Sequence, residues 1–475
     1  VKVLFVTAEA HPFVKVGGLG EVAYSLPKAL KSSEIDIRVI LPKYKFPKKI
    51  RKKMMLLGRY KTYIGWKSVD CELWTLNNNG IQYYFIGNSF YFYRNDIYGY
   101  GDDDERFIYF CKAVLEGIKY MYDFTPDILH CNDWHSSMVS PLKKLYYVDN
   151  EIYANIKTLF TIHNIAYQGT FGKDTLWMLG LDEHDIQVKK LELNDGISFM
   201  KWAILESDKI STVSESYSYE IQEEGYGCGL NSIVKKRKKD LIGILNGIDY
   251  DIYNPEKDSN ILYKYSKQNL DSKIKNKLYI QRDLKLEQDG SIPMITIISR
   301  LVDQKGLGLI EAAMKNIMSL QVQLIILGTG SSYFENKFKY LETKYKNKLR
   351  VITEFNDCKA RQLYAGSDMF LMPSKFEPCG LGQLIALRYG TIPIVRQTGG
   401  LKDTVKDYNE YINSGNGFTF KEYSVNDMLE SINRALNMYK NKDLWIQIMQ
   451  LAMDCNNNWE KSSQKYKILY KNIIK

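Results

Sequence analysis

What most constrains this chain is a rhythm in its apolar residues. Short apolar runs recur along it, each followed by a loop and then by apolar residues at helical spacing. In the first half the runs fall at 1–7, 37–41, 81–86, 128–130, 158–162 and 209–213. The first turns at Pro12 and adjacent glycines into a helical stretch from about Gly20 to Leu30, a strand-loop-helix opening. Phe107, Cys111, Val114, Leu115, Ile118 and Met121 then repeat at helical spacing between Asp104 and Met121. The second half repeats the pattern more cleanly, with strands near 293–299, 322–328, 349–353, 368–374, 391–396 and 417–420. Apolar strands alternating with amphipathic helices imply a mostly parallel sheet covered on both faces, and six in succession read as a complete doubly wound domain.

A chain of 475 residues has room for two or three such domains. The junction is expected near Lys235 to Asn246, where Lys235-Lys236-Arg237-Lys238-Lys239 gives way to an apolar stretch, dividing the chain into 1–240 and 241–455. Five adjacent cations beside a domain junction read as a solvated surface loop before they read as a nucleic-acid patch. The net charge of +10 suits an anionic ligand but is spread too thinly to mark nucleic-acid binding. With 45% hydrophobic and 25% charged residues and no apolar run near the roughly 18 residues that span a bilayer, neither a membrane protein nor a disordered chain is expected. The 7 cysteines are scattered and form no C-x-x-C pair, which fits a reducing compartment: the bacterial cytoplasm, or a plastid if a transit peptide has been removed.

In an open parallel sheet, ligands bind beyond the carboxyl ends of the strands, and four strand-end loops carry unusual residues. The first, Lys15-Val16-Gly17-Gly18-Leu19-Gly20-Glu21, reads either as a tight turn or as a place where backbone and helix N-terminus approach a phosphate or sugar beside the Lys15 charge. The second, Arg300-Leu301-Val302-Asp303-Gln304-Lys305-Gly306, brings two cations to a turn with a helix beginning at about Gly306. They suit a diphosphate, whose leaving group they would neutralise as the bond breaks, or else are surface cations with acidic partners. The third, Lys375 to Gly382, sets Glu377 before a helix, where it holds sugar hydroxyls or compensates the helix dipole. The fourth, Thr161 to Gly169, puts His163 just past a buried strand, in a structural or a catalytic place.

Other chemistries fit less well. Asp102-Asp103-Asp104 resembles the paired aspartates that hold a divalent ion in one class of sugar transferase, but it stands where a helix takes acidic caps. His130 to His135 matches no zinc spacing, and its Asp133-Trp134 pair suits hydroxyl and stacking contacts to a sugar. No nucleophile elbow or Walker loop is present.

Taken together, these loops resemble those of the bacterial-type glycogen synthases and plant starch synthases. The resemblance runs from Lys2 to about Tyr470 and rests on Lys15 to Glu21, His130 to His135, Thr161 to Gly169, Asn246 to Asp249, Ser299 to Gly306, Glu377 to Gln383 and Thr398 to Leu401. It implies two Rossmann-like domains facing a deep cleft, the GT-B arrangement, with the last helix, about 456–475, crossing back to the first domain. It also implies transfer of glucose from ADP-glucose to the nonreducing end of an α-1,4-glucan, with retention and without a metal or other cofactor. By position, Lys15, Gly17 and Gly18 would contact phosphate, and Arg300 and Lys305 would neutralise the leaving diphosphate. Glu377, Cys379, Gly380, Leu381 and Gly382 would hold the donor sugar and phosphate, with Asn246 and His163 nearby. The His163 carbonyl would face the anomeric centre, Phe355 would stack on adenine, and Tyr98 and Asp133 would touch the acceptor.

The sequence departs from the family pattern in having Glu21 for Asp, Gly382 for a frequent Thr, and Ile385 for Tyr or His. A UDP-glucose transferase and a catalytically silent glucan binder are the competing readings. Loss of Lys15, Arg300, Lys305 or Glu377 would mark the silent binder, and all four are present.

Overall fold

The computed structural model describes residues 1–31 and 34–475. Its contacts divide the chain into two α/β units, Val1–Asn246 with Trp459–Lys475, and Gly247–Asn458.

The first unit is built on β1 (Lys2–Val6), β2 (Asp36–Pro42), β3 (Met55–Ile64), β4 (Lys67–Asn78), β5 (Ile81–Gly87), β6 (Ile128–Asn132) and β7 (Lys157–Ile162). Three short strands, β8 (Thr170–Phe171), β9 (Glu192–Leu193) and β10 (Gly196–Ser198), pair antiparallel in a sheet of their own. With β11 (Lys209–Thr212) and β12 (Leu241–Gly243), the main sheet has the order β12-β11-β7-β6-β1-β2-β5-β4-β3. From β1 the chain winds outward one way through β2 and then returns to β6 and winds the other way. The topological switch point therefore lies between β1 and β6, and the loops leaving those two strands flank it.

The β3–β4 hairpin is absent from the sequence reading for a physical reason. Its strands are antiparallel and sit at the sheet edge, where only one face is covered. Tyr60, Thr62 and Ile64 on β3 and Cys71, Leu73 and Thr75 on β4 are buried, whereas Lys61, Lys67 and Asp70 between them are not. Such alternation leaves no continuous apolar run. The expected boundary at 240–241 also moves. β12 pairs with β11 and completes the first sheet, so the division falls after Asn246. The basic run is no free loop, since Asn231–Lys236 is helical and Arg237 donates to the carbonyls of Ile204, Leu205 and Ser207.

The last helix, Trp459–Ile473, belongs to the first unit and buries Tyr466 and Tyr470 there. The Tyr470 hydroxyl lies 2.8 Å from His130 Nδ1, and His130 Nε2 lies 2.6 Å from Thr161 Oγ1, itself 2.6 Å from Ser211 Oγ. One hydrogen-bonded line thus joins this helix to β6, β7 and β11. Burial drives the His130 pKa well below its usual value, so the ring is neutral and each nitrogen needs its partner.

The second unit carries β13 (Met294–Ile298), β14 (Gln323–Leu327), β15 (Leu349–Ile352), β16 (Met369–Met372), β17 (Ile392–Arg396) and β18 (Phe418–Phe420) in the order β15-β14-β13-β16-β17-β18, all parallel. This is the doubly wound 3-2-1-4-5-6 order, with its switch point between β13 and β16. No helix among the described residues is long and apolar enough to cross a membrane.

Tyr470→Phe keeps the ring and removes the hydroxyl, leaving a buried imidazole nitrogen unpaired. An unsatisfied buried group costs about 1–3 kcal/mol, so the variant should unfold several degrees below the parent in a thermal melt. An unchanged melting temperature would show that the helix is held by its apolar face alone.

Candidate active site

In the second unit the loops leaving β13 and β16 are laced together at the switch point. A short turn at Asp303–Lys305 meets the helix Leu307–Ser319 through Gly306, whose φ of 74° places it in the left-handed region, so the helix starts at Leu307 rather than at Gly306. Lys375 N donates to the Gln304 carbonyl at 2.9 Å, and Gln304 Nε2 to the Phe376 carbonyl at 3.3 Å. With the loops so fixed, Lys305 Nζ lies 2.8 and 2.6 Å from the two oxygens of Glu377, and Ser374 Oγ donates to one of them at 3.1 Å. The Glu377 side chain is 6% exposed and that of Lys305 16%.

Glu377, expected before a helix, has its partners elsewhere. Its carboxylate is held by Lys305 and Ser374, not by the N–H groups of a helix, and the next helix, Gly382–Arg388, begins farther along. The glycine pair of Thr398 to Leu401 acts on the same loop. Gly400 N donates to the Glu377 carbonyl at 3.1 Å, and a Cβ on Gly399 or Gly400 would lie 2.0 Å from the Glu377 oxygen or 2.1 Å from the Cys379 oxygen. Gln383 Nε2 closes the turn by donating to the carbonyls of Cys379 and Gly380, each at 3.0 Å, while Leu381 stands as the residue before the helix. Gly382 is no simple loss of a hydroxyl, because a Cβ there would lie 2.9 Å from the Phe370 ring. Ile385 packs in the same apolar cluster, with Tyr364, Phe370 and Tyr389. Arg300 is exposed on the β13 loop, and Phe355, 72% exposed, presents an open ring on the loop after β15.

In the first unit the helix begins at Gly18, two residues before the expected Gly20. Lys15 Nζ is 2.7 Å from Glu21 Oε2. Gly17 N, expected to face a phosphate, instead donates to Glu9 Oε2 at 3.1 Å, as Val16 N does at 2.6 Å. Tyr98, expected at the acceptor, gives its hydroxyl hydrogen to Glu9 Oε1.

Asp133 sits on the β6 side of the switch point with a φ of 55°. Its Oδ1 accepts from His163 N at 2.7 Å and Asn164 N at 3.4 Å, so it holds the β7 loop in place. Asn132 Nδ2 donates to the carbonyls of Val6 and His130, which leaves Asn132 Oδ1 to accept from His163 Nε2 at 2.9 Å. Nε2 therefore carries the proton, and burial pushes the His163 pKa down to about 3. Burial, reinforced by the charge of Glu9, pushes Asp133 up to about 7 against the two backbone donors. Asn246 closes this unit with its Oδ1 buried and unpartnered. Trp134, expected to stack on sugar, packs edge-on to Phe107 and Phe171.

The three aspartates are committed separately. Asp102 takes both terminal nitrogens of Arg94 at 2.6 Å, Asp103 pairs with buried Arg106, and Asp104 accepts from Thr175 Oγ1 at 2.8 Å. Asp102, expected as an acidic cap, makes no capping hydrogen bond. Among the described residues no three His, Cys, Asp or Glu side chains gather as a metal-ligand set.

Sequence reasoning missed Glu9, Asn132 and Ser374. Glu9 and Asn132 flank the first unit's switch point, Glu9 beyond the end of β1 and Asn132 at the end of β6, and that topology was the available signal.

Comparison with known proteins gives these two sets of residues a context. Residues 2–236 match the family model of the starch synthase catalytic domain, and residues 283–450 that of glycosyl transferases group 1. The glycogen synthase of Clostridium novyi is 48% identical over 476 residues, covering 100% of this chain and 99% of that one. That of Clostridium acetobutylicum is 48% identical over 477 residues, covering 100% of both. The catalytic domain of starch synthase IV from Arabidopsis thaliana, solved with ADP and acarbose, matches with a TM-score of 0.92 at 33% identity over 99% of each chain. Sucrose-phosphate synthase from Thermosynechococcus elongatus, at 16% identity and a TM-score of 0.64, shares the fold alone. Fold and strand-end loops together define a glycosyltransferase of the GT-B type. The chain belongs to the glycogen synthase and starch synthase family of glucosyltransferases.

The raised Asp133 pKa has a sign that can be tested. Between the usual carboxyl value of 3.8 and about 7, the folded chain keeps a proton that the unfolded chain has released, so the stability Asp133 contributes falls as pH rises through that window. Asp133→Asn keeps the acceptor oxygen and removes the titration. Its melting temperature should exceed the parent's at pH 8 by more than it does at pH 5, and an equal difference at both values would contradict the assignment.

Proposed function

We propose that this chain extends α-1,4-glucans with glucose from ADP-glucose, retaining configuration at the anomeric carbon and using no metal. The Lys305–Glu377 pair at the switch point carries the reading. A mostly buried cation beside a more deeply buried carboxylate at a strand-end switch point suits the diphosphate and the sugar of a nucleotide-sugar. In this reading Arg300 and Lys305 take the diphosphate, while Glu377, with the loop from Cys379 to Gly382, takes the sugar hydroxyls. The open ring of Phe355 offers the adenine a stacking face. A starch synthase of this fold solved with ADP supports adenine as the base, and curated relatives named glycogen synthase support a glucan as the acceptor.

From the first unit, Lys15 and Gly18 approach the phosphates, the His163 carbonyl faces the anomeric centre, and the unpartnered Asn246 Oδ1 accepts from the donor. Tyr98 and the second Asp133 oxygen serve the acceptor. The bond from C1 to the diphosphate breaks with its electron pair leaving on phosphate, and the acceptor O4 bonds to C1 on the same face. The acceptor proton passes to the departing phosphate oxygen, so no second carboxylate is required across the sugar. Catalysis is then positioning and charge stabilisation, in which one lost donor costs on the order of 10² to 10³ in rate. The free thiols, with Cys228 and Cys358 exposed, suit a reducing cytoplasm.

Glu377→Gln keeps the shape and removes the charge. Elongation of a maltooligosaccharide should fall by about 10² or more in kcat, while ADP affinity changes by less than about threefold. Equal rates would reduce Glu377 to a structural partner of Lys305. Excess chelator should leave the rate unchanged, and a loss of about tenfold restored by added Mg²⁺ or Mn²⁺ would overturn metal independence.

A further inference from the structure

Among the described residues, Glu9 is the one carboxylate that reaches both the loop of Lys15 and the Tyr98 hydroxyl. It is 4% exposed, and among the described residues no lysine or arginine lies on its carboxylate. A buried carboxylate without a cation needs strong donors, and its two oxygens have them: Val16 N and Gly17 N on Oε2, and the Tyr98 hydroxyl on Oε1. The residue is itself fixed, since Thr7 Oγ1 donates to the Glu9 carbonyl at 2.9 Å and the strand before it is the buried β1. Tyr98 is fixed in turn by stacking on His135 at 4.5 Å between centroids.

We propose that Glu9 is a positioning residue for glucosyl transfer, one carboxylate that clamps the Lys15 loop with one oxygen and orients the Tyr98 hydroxyl with the other. It sets a donor-side and an acceptor-side contact of the first unit by a single side chain. The proposal rests on the reading of Lys15 and Tyr98 given under Proposed function. It also deepens that reading, because with Val16 N and Gly17 N already engaged, the phosphates are left to Lys15 and to donors from Gly18 onward. A displacement of about 1 Å in such a contact can cost on the order of a hundredfold in rate, so the clamp acts on chemistry without touching substrate.

The clamp works through hydrogen-bond shape rather than through charge, and this separates it from a merely structural acid. In Glu9→Gln the amide oxygen still accepts from Val16 and Gly17, and the amide nitrogen donates to the Tyr98 oxygen. Glu9→Asp is one methylene too short to reach both. Glu9→Ala and Glu9→Asp should each lower kcat/KM by about tenfold or more toward both ADP-glucose and maltooligosaccharide, while Glu9→Gln stays within about threefold of the parent. Tyr98→Phe should raise the KM for maltooligosaccharide in the parent but add less than about twofold in the Glu9→Ala background, the non-additivity of coupled residues. Glutamine as impaired as alanine, an unimpaired alanine variant, or additive effects of the two substitutions would each overturn the clamp. Should alanine fail to fold, the aspartate and glutamine variants carry the same comparison. Lys15→Ala and Tyr98→Phe, each alone in the parent, test the underlying site, and parent-like rates in both would refute that reading independently of Glu9.

Discussion

The loops that leave a parallel strand at its carboxyl end carry backbone N–H groups that the sheet does not satisfy, and everything near the sites of this chain depends on how those groups are paired. A ligand could satisfy them, but in its absence the chain must do so itself. Here buried acids do it in the first unit. Glu9 takes two N–H groups of the loop after β1, and Asp133 takes two of the loop after β7. In the second unit the equivalent work falls to backbone carbonyls, with the Glu377 and Gln304 oxygens receiving Gly400 N and Lys375 N. The acid of that unit, Glu377, is left for a cation.

This division explains which parts of the site were legible in sequence. The second unit's strands are buried on both faces, so they stand out as apolar runs, and their loops hold residues whose type alone suggests chemistry: Arg300, Lys305, Glu377 and a glycine pair. The first unit hides more. Its edge hairpin alternates instead of running apolar, and its key acid, Glu9, sits among small residues with no glycine or cation beside it. Nothing in Thr7-Ala8-Glu9-Ala10 distinguishes a buried carboxylate from a surface one. Only the strand order, which brings β1 next to β6, shows that Glu9 and Asp133 share a switch point closely enough for the charge of one to raise the pKa of the other.

The three histidines at the β6 and β7 ends belong to the scaffold as much as to chemistry. His130 binds the last helix through Tyr470, His163 is tied to Asn132, and His135 stacks on Tyr98. Burial holds His135 and His163 down at about 3 and His130 well below its usual value, so none carries charge near neutrality. The three rings therefore add no positive charge at this edge.

Lysine is handled alike in both units. Lys15 rests on Glu21 and Lys305 on Glu377, each carboxylate more buried than its lysine. With side chains only 16% and 6% exposed, Lys305 and Glu377 form no surface pair: removing the lysine would strand a buried carboxylate, at a cost of about 3–5 kcal/mol. Each pair therefore fixes its lysine against the loop that carries it. Glu21 fits this logic better than a shorter acid would, since its extra methylene lets a side chain only 2% exposed reach a lysine on the loop's open side.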